Sequence, residues 1–256
     1  MSIRRITIVV IAATGAVSAL VACGGDDDSS DSESGGSGAS TLPTGSEPAN
    51  LDPAEFTTEI TNPYWPMSPG DRWVYREEDP EGDLRVVVTV TDRTKQVANG
   101  VEARVVHDVV SSDGEPVEVT DDWYAQDADG NVWYLGEDTA EYENGKVASR
   151  EGSFEAGVDG AEAGVIMPAN PEPGLTYRQE YLKGEAEDYA SVLATDASAE
   201  VPFGKFTGML KTEDVNPLAD PKQVENKFFA KDVGPVLTID TAGGGREELL
   251  TYSPAG

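Results

Sequence analysis

The sequence predicts a mainly β protein built on a single long, curved antiparallel sheet, a half-barrel or open barrel, with few helices. Three observations carry this. Beyond residue 70 most of the chain alternates apolar and polar residues with a period of two, and its apolar positions are rich in Val, Thr and aromatics, as in strands with one covered face. The alternating runs are separated by Asn99-Gly100, Asp113-Gly114, Asp129-Gly130-Asn131 and Asn144-Gly145, which tolerate positive φ and suit tight hairpins. There are roughly a dozen runs, and since flat sheets beyond about ten strands are rare, such a sheet curls or closes.

The chain opens with Arg4 and Arg5, an uncharged and mostly apolar run over 6–21, then Ala22 and Cys23. A basic region, an apolar region and a small residue before the cut are the parts of a secretory signal. The run is short for a stable membrane span of about 20 apolar residues. Leu20-Val21-Ala22-Cys23 resembles the bacterial lipobox, which implies cleavage between Ala22 and Cys23 and acylation of Cys23. The chain has one cysteine, so it can form no intrachain disulfide and the exported domain must hold itself by its core. The expected organisation is a signal peptide over 1–22, a lipidated Cys23 with a Gly/Ser/Asp tether over 23–49, and a single β-rich domain over 50–256. The tether has too little apolar surface to offset ordering entropy and is expected to be disordered. Its start, Cys23-Gly24-Gly25-Asp26, resembles lipoproteins of high-GC Gram-positive bacteria, which implies anchoring to the outer face of the cell membrane through the acyl chains.

Charge narrows the partners. Asp and Glu number 48 against 18 Lys and Arg, a net charge of −30. Such a chain is repelled by nucleic acid and anionic lipid, and is suited to solubility, cations or a basic partner.

The domain begins with a Pro-aromatic stretch, 56–70, whose Pro63, Pro66 and Pro69 forbid a long helix or central strand. Phe56, Ile60, Tyr64, Trp65 and Met67 are expected to cap a core. Trp73 and Tyr75 then share a strand face, as do Leu84, Val86, Val88 and Val90 in the next strand. Val101, Ala103, Val105, His107 and Val109 align on what reads as the apolar face of a third, which makes His107 a hydrogen-bonded core histidine. The stretch 152–174 loses alternation and is long for a loop, as expected of a functional segment or one covering an opening. Residues 185–201 fit both helical and strand spacing; the turn and return strand that follow favour a strand. A short helix is expected near Pro221–Asn226, and strands complete the chain.

Residues 121–138 hold the candidate sites. Trp123, Tyr124, Trp133 and Tyr134 are expected to pair across a hairpin, either as sheet packing or as an aromatic ligand platform. Asp127, Asp129 and Asn131 resemble the start of an EF-hand calcium loop. The glycine stands at position 4 instead of 6, with Asp138 at position 12, so a plain turn is the competing reading. No other cofactor is expected. One His and one Cys exclude an ordinary zinc site, and no Gly-x-Ser-x-Gly nucleophile elbow or phosphate loop occurs. Arg178, Glu180, Glu185, Glu187 and Asp188 form a charged cluster, read as a solvated hairpin or as carboxylates for a glycosidase.

The segments "NPYWPMSPGDRWVY", "DWYAQDADGNVWYLGE" and "KFFAKDVGPVLTID" together resemble a family of secreted bacterial proteins and lipoproteins with no assigned activity. Its members share a Pro-aromatic opening and a closing phrase like Tyr-Ala-x-Gly-Val-Gly; Asp232 here replaces a usual glycine. The resemblance implies an antiparallel, half-barrel domain and carries no functional residues. The expectation is a lipid-anchored, non-enzymatic binding or carrier-like envelope protein, for an apolar ligand or an envelope protein. The alternatives are an interaction protein working through its acidic surface, and a carboxylate-based hydrolase.

Overall fold

The computed structural model describes residues 42–79, 82–219 and 221–256. Cys23, Ala22 and the signal segment lie outside them. Among the described residues, sixteen antiparallel strands follow one short 3-10 turn at Pro53–Glu55. They are β1 (Phe56–Thr57), β2 (Arg72–Asp79), β3 (Gly82–Gln96), β4 (Glu102–Ser112), β5 (Glu115–Asp127), β6 (Val132–Glu143), β7 (Lys146–Ser149) and β8 (Phe154–Glu155). Then come β9 (Glu162–Met167), β10 (Thr176–Arg178), β11 (Glu180–Tyr181), β12 (Tyr189–Val201), β13 (Gly204–Asn216), β14 (Gln223–Ala230), β15 (Gly234–Asp240) and β16 (Arg246–Ser253).

All belong to one sheet, ordered β10-β12-β13-β14-β15-β16-β2-β3-β4-β5-β6-β9-β11, with β1 added to β5 and both β7 and β8 added to β6. The path starts at β10 and ends at β11, which are two halves of one segment broken at Gln179. Thr176–Arg178 pair with β12, whereas Glu180 and Tyr181 pair with β9. The sheet is thus nearly closed into a barrel, with one unsealed seam. At the seam Gly164 packs on the chain opposite so tightly that a Cβ would lie 2.2 Å from the Gln179 carbonyl, which admits no larger residue.

A strap crosses the seam. The Arg178 amide donates to Pro43 O (2.7 Å), and its guanidinium donates to Gly45 O (2.5 Å), Glu47 O (2.7 Å) and Ala163 O (2.5 Å). The Ala49 amide donates to Glu162 Oε2 at 3.0 Å. Residues 42–49, expected within the disordered tether, therefore belong to the folded domain. Leu42 and Ala49 pack against the core and Pro43 is buried, and a buried arginine that needs acceptors finds them in the strap carbonyls.

The Pro-aromatic stretch caps the core as its composition predicts, with Ile60, Tyr64, Trp65 and Met67 buried. Trp65 meets Tyr124 edge-on and Phe229 at 6.0 Å. Asp232 takes a left-handed φ of 63° in place of the usual glycine, and its amide donates to Pro63 O, tying the last turn to the cap.

Two expectations are corrected. The helix near Pro221–Asn226 is strand β14, whose ladder is satisfied on both sides by β13 and β15. The inner face of β4 is Val106, Asp108 and Val110, which stand opposite Val90, Val88 and Val86. His107 is on the outer face, its side chain 40% exposed and its Nδ1 2.8 Å from Asp121 Oδ1. The doublets Val105-Val106 and Val109-Val110 make either parity equally apolar, and a one-residue slip exchanges the faces.

Candidate functional site

The inner face of the sheet carries acids that alternation had placed in solvent. Asp108 stands opposite Thr120, and Asp122 opposite Glu137; all four are buried. Directly opposed residues of an antiparallel pair share a face. A second polar row runs from Thr212 through Lys227 and Thr238 to Glu247 on adjacent strands. Lys227 is buried beside Asp214 (3.2 Å) and Glu225 (3.5 Å). Burial works against its charge, but those two carboxylates prevail and raise its pKa. Gln179, at the seam, donates to Asp214 Oδ2 at 2.9 Å.

Three groups form a short array. Tyr134 OH lies 2.8 Å from Asp122 Oδ1 and 2.8 Å from Glu137 Oε2. A phenol has one proton to donate, so both contacts are hydrogen bonds only when one carboxyl is protonated. Asp122 is the candidate: it is fully buried, and its Oδ2 has no hydrogen-bond partner. Burial, with the charge of Asp108 adding to it, pushes its carboxyl up to about 6. Burial also pushes the Tyr134 phenol well above its usual range, so it remains a donor.

A cleft of about 870 Å³ lies beside β5 and β6, with Glu137 among the residues that border it. Trp123, Phe154, Val158, Tyr181 and Leu182 supply its apolar surface, with Lys95, Glu155 and Asp159 among its charges. Lys95 Nζ sits 4.2 Å above the Trp123 ring and 3.1 Å from Glu155 Oε2. Gly136 makes this possible. A Cβ there would meet Phe154 O at 2.3 Å and the Trp123 ring at 3.0 Å, so glycine lets β8 and the indole close on β6.

The predicted aromatic set is divided between the faces. A bulge between Trp123 and Tyr124 leaves Trp123 opposite Gly136 and Tyr124 opposite Tyr134. Tyr124 and Tyr134 stack in the core (5.0 Å, 22°). Trp133 donates from Nε1 to Asp127 Oδ2 (2.8 Å) and meets Phe56 edge-on. Of the four, Trp123 alone is placed in the cleft. In the calcium reading, Asp127 accepts from the Asn131 amide, Asn131 Nδ2 and Trp133 Nε1, all at 2.8 Å, and Asn131 Oδ1 accepts from the Ala169 amide. Those oxygens lock a turn, and Asp129 is exposed. Among the described residues no three His, Cys, Asp or Glu side chains gather to hold a metal.

The cluster at 178–188 is also divided: Arg178, Glu180 and Asp188 are buried and Glu185 is exposed, which corrects the solvated-hairpin reading. Asp122, Asp108, Lys227 and Glu137 had no place in the sequence reading. Parity offered one signal, since Asp122 shares alternate positions with Thr120 and Tyr124; the bulge at Gly136 hides the matching relation of Tyr134 to Glu137.

No family model matches the chain, and no curated protein does. Two solved structures are similar to it. One, from Bacteroides fragilis, is assigned as an exported protein with a YmcC-like fold; it is 15% identical over 75% of this chain and 99% of its own, with a TM-score of 0.43. The other, from Parabacteroides distasonis, is assigned as a lipoprotein; it is 13% identical over 74% of this chain and 98% of its own, with a TM-score of 0.40.

Proposed function

We propose that this chain is a lipid-anchored extracytoplasmic protein of binding or carrier type whose ligand site is the cleft beside Trp123. The observation that carries the reading is the cleft itself. Its volume of about 870 Å³ falls within the usual range for small-ligand sites, and it combines apolar walls with a few placed polar groups. The anchor rests on Leu20-Val21-Ala22-Cys23. Beneath the Pro-aromatic cap the free volume near Trp65, Trp73 and Tyr75 is about 10 Å³, room for no more than about one water, which favours the cleft beside Trp123 over the space under the cap.

Several of the cleft carboxylates are engaged: Glu155 accepts from Lys95 and the Ala98 amide, Asp138 from Arg150, and Glu137 contacts Tyr134. The net charge of −30 supports a second reading, an interaction protein that meets a basic partner through its surface.

Native mass spectrometry of the full chain, recovered from the membranes in which it is made, tests the site. The wild type is expected to retain a small-molecule adduct that Val158→Trp loses, because Val158 is 39% exposed and lines the cleft. An adduct equal in both proteins, or absent from both, overturns the reading. Cys23→Ala is expected to move the protein from the membrane fraction to the soluble fraction.

A further inference from the structure

We propose that the tip of the β12–β13 hairpin docks on the surface of a phospholipid bilayer, with the Phe203 ring entering at headgroup depth. The inference rests on the lipid anchoring in the proposed function and adds the part of the domain that meets the bilayer.

The hairpin outgrows the sheet. β12 pairs with β10 over Tyr189–Ser191, and the last bonds on that side join Val192 to Gly174 and Leu175. β13 meets β14 from Leu210 onward. Among the described residues, Leu193–Val201 and Gly204–Met209 therefore have ladder partners only in each other. A backbone bond from Phe203 N–H to Leu249 O (3.0 Å) ties the turn back to β16. This arm has an inner side and an outer tip. Ala199 stands opposite Phe206, and both pack against the core, as does the buried Val201. Pro202 and Phe203 form the turn and stand out. Phe203 is 41% exposed and stacks on Phe206 (6.3 Å, 18°), an apolar ring where turn residues are ordinarily small or polar.

The arm is also free of acid. From Val201 to Thr212 there is no Asp or Glu, in a chain that has 48, and Lys205 and Lys211 are present. Glu200, just before, is paired with Lys205 at 3.0 Å. Here the chain meets headgroup phosphates with least repulsion, and a ring beside a lysine suits a bilayer interface, the ring in the acyl boundary and the ammonium toward phosphate. The edges of the arm set the depth: backbone groups without partners stay out of hydrocarbon, so the strands remain among the headgroups. A second copy of the chain is opposed as the occupant by its own net charge of −30. The segment 24–41 between Cys23 and Leu42 spans at most about 65 Å. An anchored domain is thereby held over the bilayer at roughly millimolar effective concentration, so a contact too weak to recruit free protein suffices.

The test places a tryptophan at the tip. Trp65, Trp73, Trp123 and Trp133 are buried, so Phe203→Trp adds an indole that lipid can reach. The full-length variant is reconstituted into phosphatidylcholine vesicles whose acyl chains carry bromine near the headgroup. The added emission is expected to shift to the blue and to fall about twofold relative to unbrominated vesicles. Val147→Trp, at a position 48% exposed in β7, should change in neither respect. In the Cys23→Ala background the tip signal should persist at millimolar lipid and vanish at micromolar lipid, where the anchored chain keeps it. Hydrogen exchange reads the same contact on the wild type: the amides of residues 203–207 should slow on vesicles, and those of residues 144–147 should not.

Absence of tip quenching at both lipid concentrations and in both backgrounds overturns the proposal, as does equal quenching of the two added tryptophans. Protection of residues 203–207 without lipid, in a particle of twice the chain's mass, would assign the arm to a second copy and overturns it as well. Co-flotation of the wild type with vesicles, lost in Cys23→Ala, judges the anchor separately. A chain that does not float but shows tip quenching at millimolar lipid keeps the docking surface and loses the anchor.

Discussion

The region under the Pro-aromatic cap and the region around Lys227 are buried to a similar degree and built on opposite principles. Under the cap, Trp65, Tyr124 and Phe229 pack ring against ring. The polar tips there find backbone acceptors: Trp73 Nε1 donates to Val233 O at 2.7 Å, and Tyr75 OH to Pro235 O at 3.0 Å. Around Lys227 the sheet buries Thr212, Asp214, Thr238 and Glu247 in place of apolar residues. The first region stabilises through area and packing. The second holds because its charges answer one another, and an isolated buried ion pair is weak evidence for stability. A domain without disulfides therefore draws its stability from the first and carries the second as a cost offset from within.

Substitutions that separate these accounts differ in size. Lys227→Met should be among the most damaging, about 3–5 kcal/mol, because it leaves the Asp214 and Glu225 carboxylates uncompensated; urea unfolding measures it, and adding Asp214→Leu should recover part of the loss. Trp65→Ala should cost about as much, 3–5 kcal/mol, through the cavity it opens, with no rescue by any charge change. If Lys227→Met is tolerated while Trp65→Ala unfolds the protein, the buried ion cluster is not the balanced network described here.

The acid limb gives a smaller effect. Asp122 has its folded pKa raised from 3.8 to about 6, so between those values the folded state holds the extra proton. Its contribution is fully present below pH 3.8 and is lost as pH rises through 6. At about 1.4 kcal/mol per unit this amounts to roughly 3 kcal/mol. Asp122→Asn should raise stability at pH 7 and flatten the profile between pH 4 and 6.5 in thermal melts. A wild-type profile that climbs through that window would contradict the assignment unless other carboxylates dominate, which the variant's unchanged slope would reveal. At the small end, Thr238→Val should be neutral or slightly stabilising, since the buried Oγ1 has no partner to lose.

The legibility of the two regions in the sequence differs for the same reason. Trp73, Tyr75, Val86, Val88 and Val90 announce a face by type and period, and the cap by its prolines. Period two reports which residues share a face, not which face is inside, and β4 with valines on both sides had to be settled by its neighbours. Asp108, Asp122 and Asp214 read as solvated because an acid is ordinarily exposed; their burial depends on side chains presented by neighbouring strands, such as Tyr134 beside Asp122 and Lys227 beside Asp214. The cleft was illegible for a further reason: it needs the bulge at Trp123 and the glycine at 136, which break the alternation by which strands are recognised.

The strap has a consequence for the order of assembly. Residues 42–49 precede all of the sheet, yet the residues that hold them, Glu162 and Arg178, lie at least 113 residues later in the chain. The first part of the domain to arrive is among the last to be placed. Closing so long a loop is slow compared with forming hairpins, so a meander with an open seam precedes the finished barrel. The final act of folding then brings the strap carbonyls of Gly45 and Glu47 onto Arg178 and fastens the seam from outside.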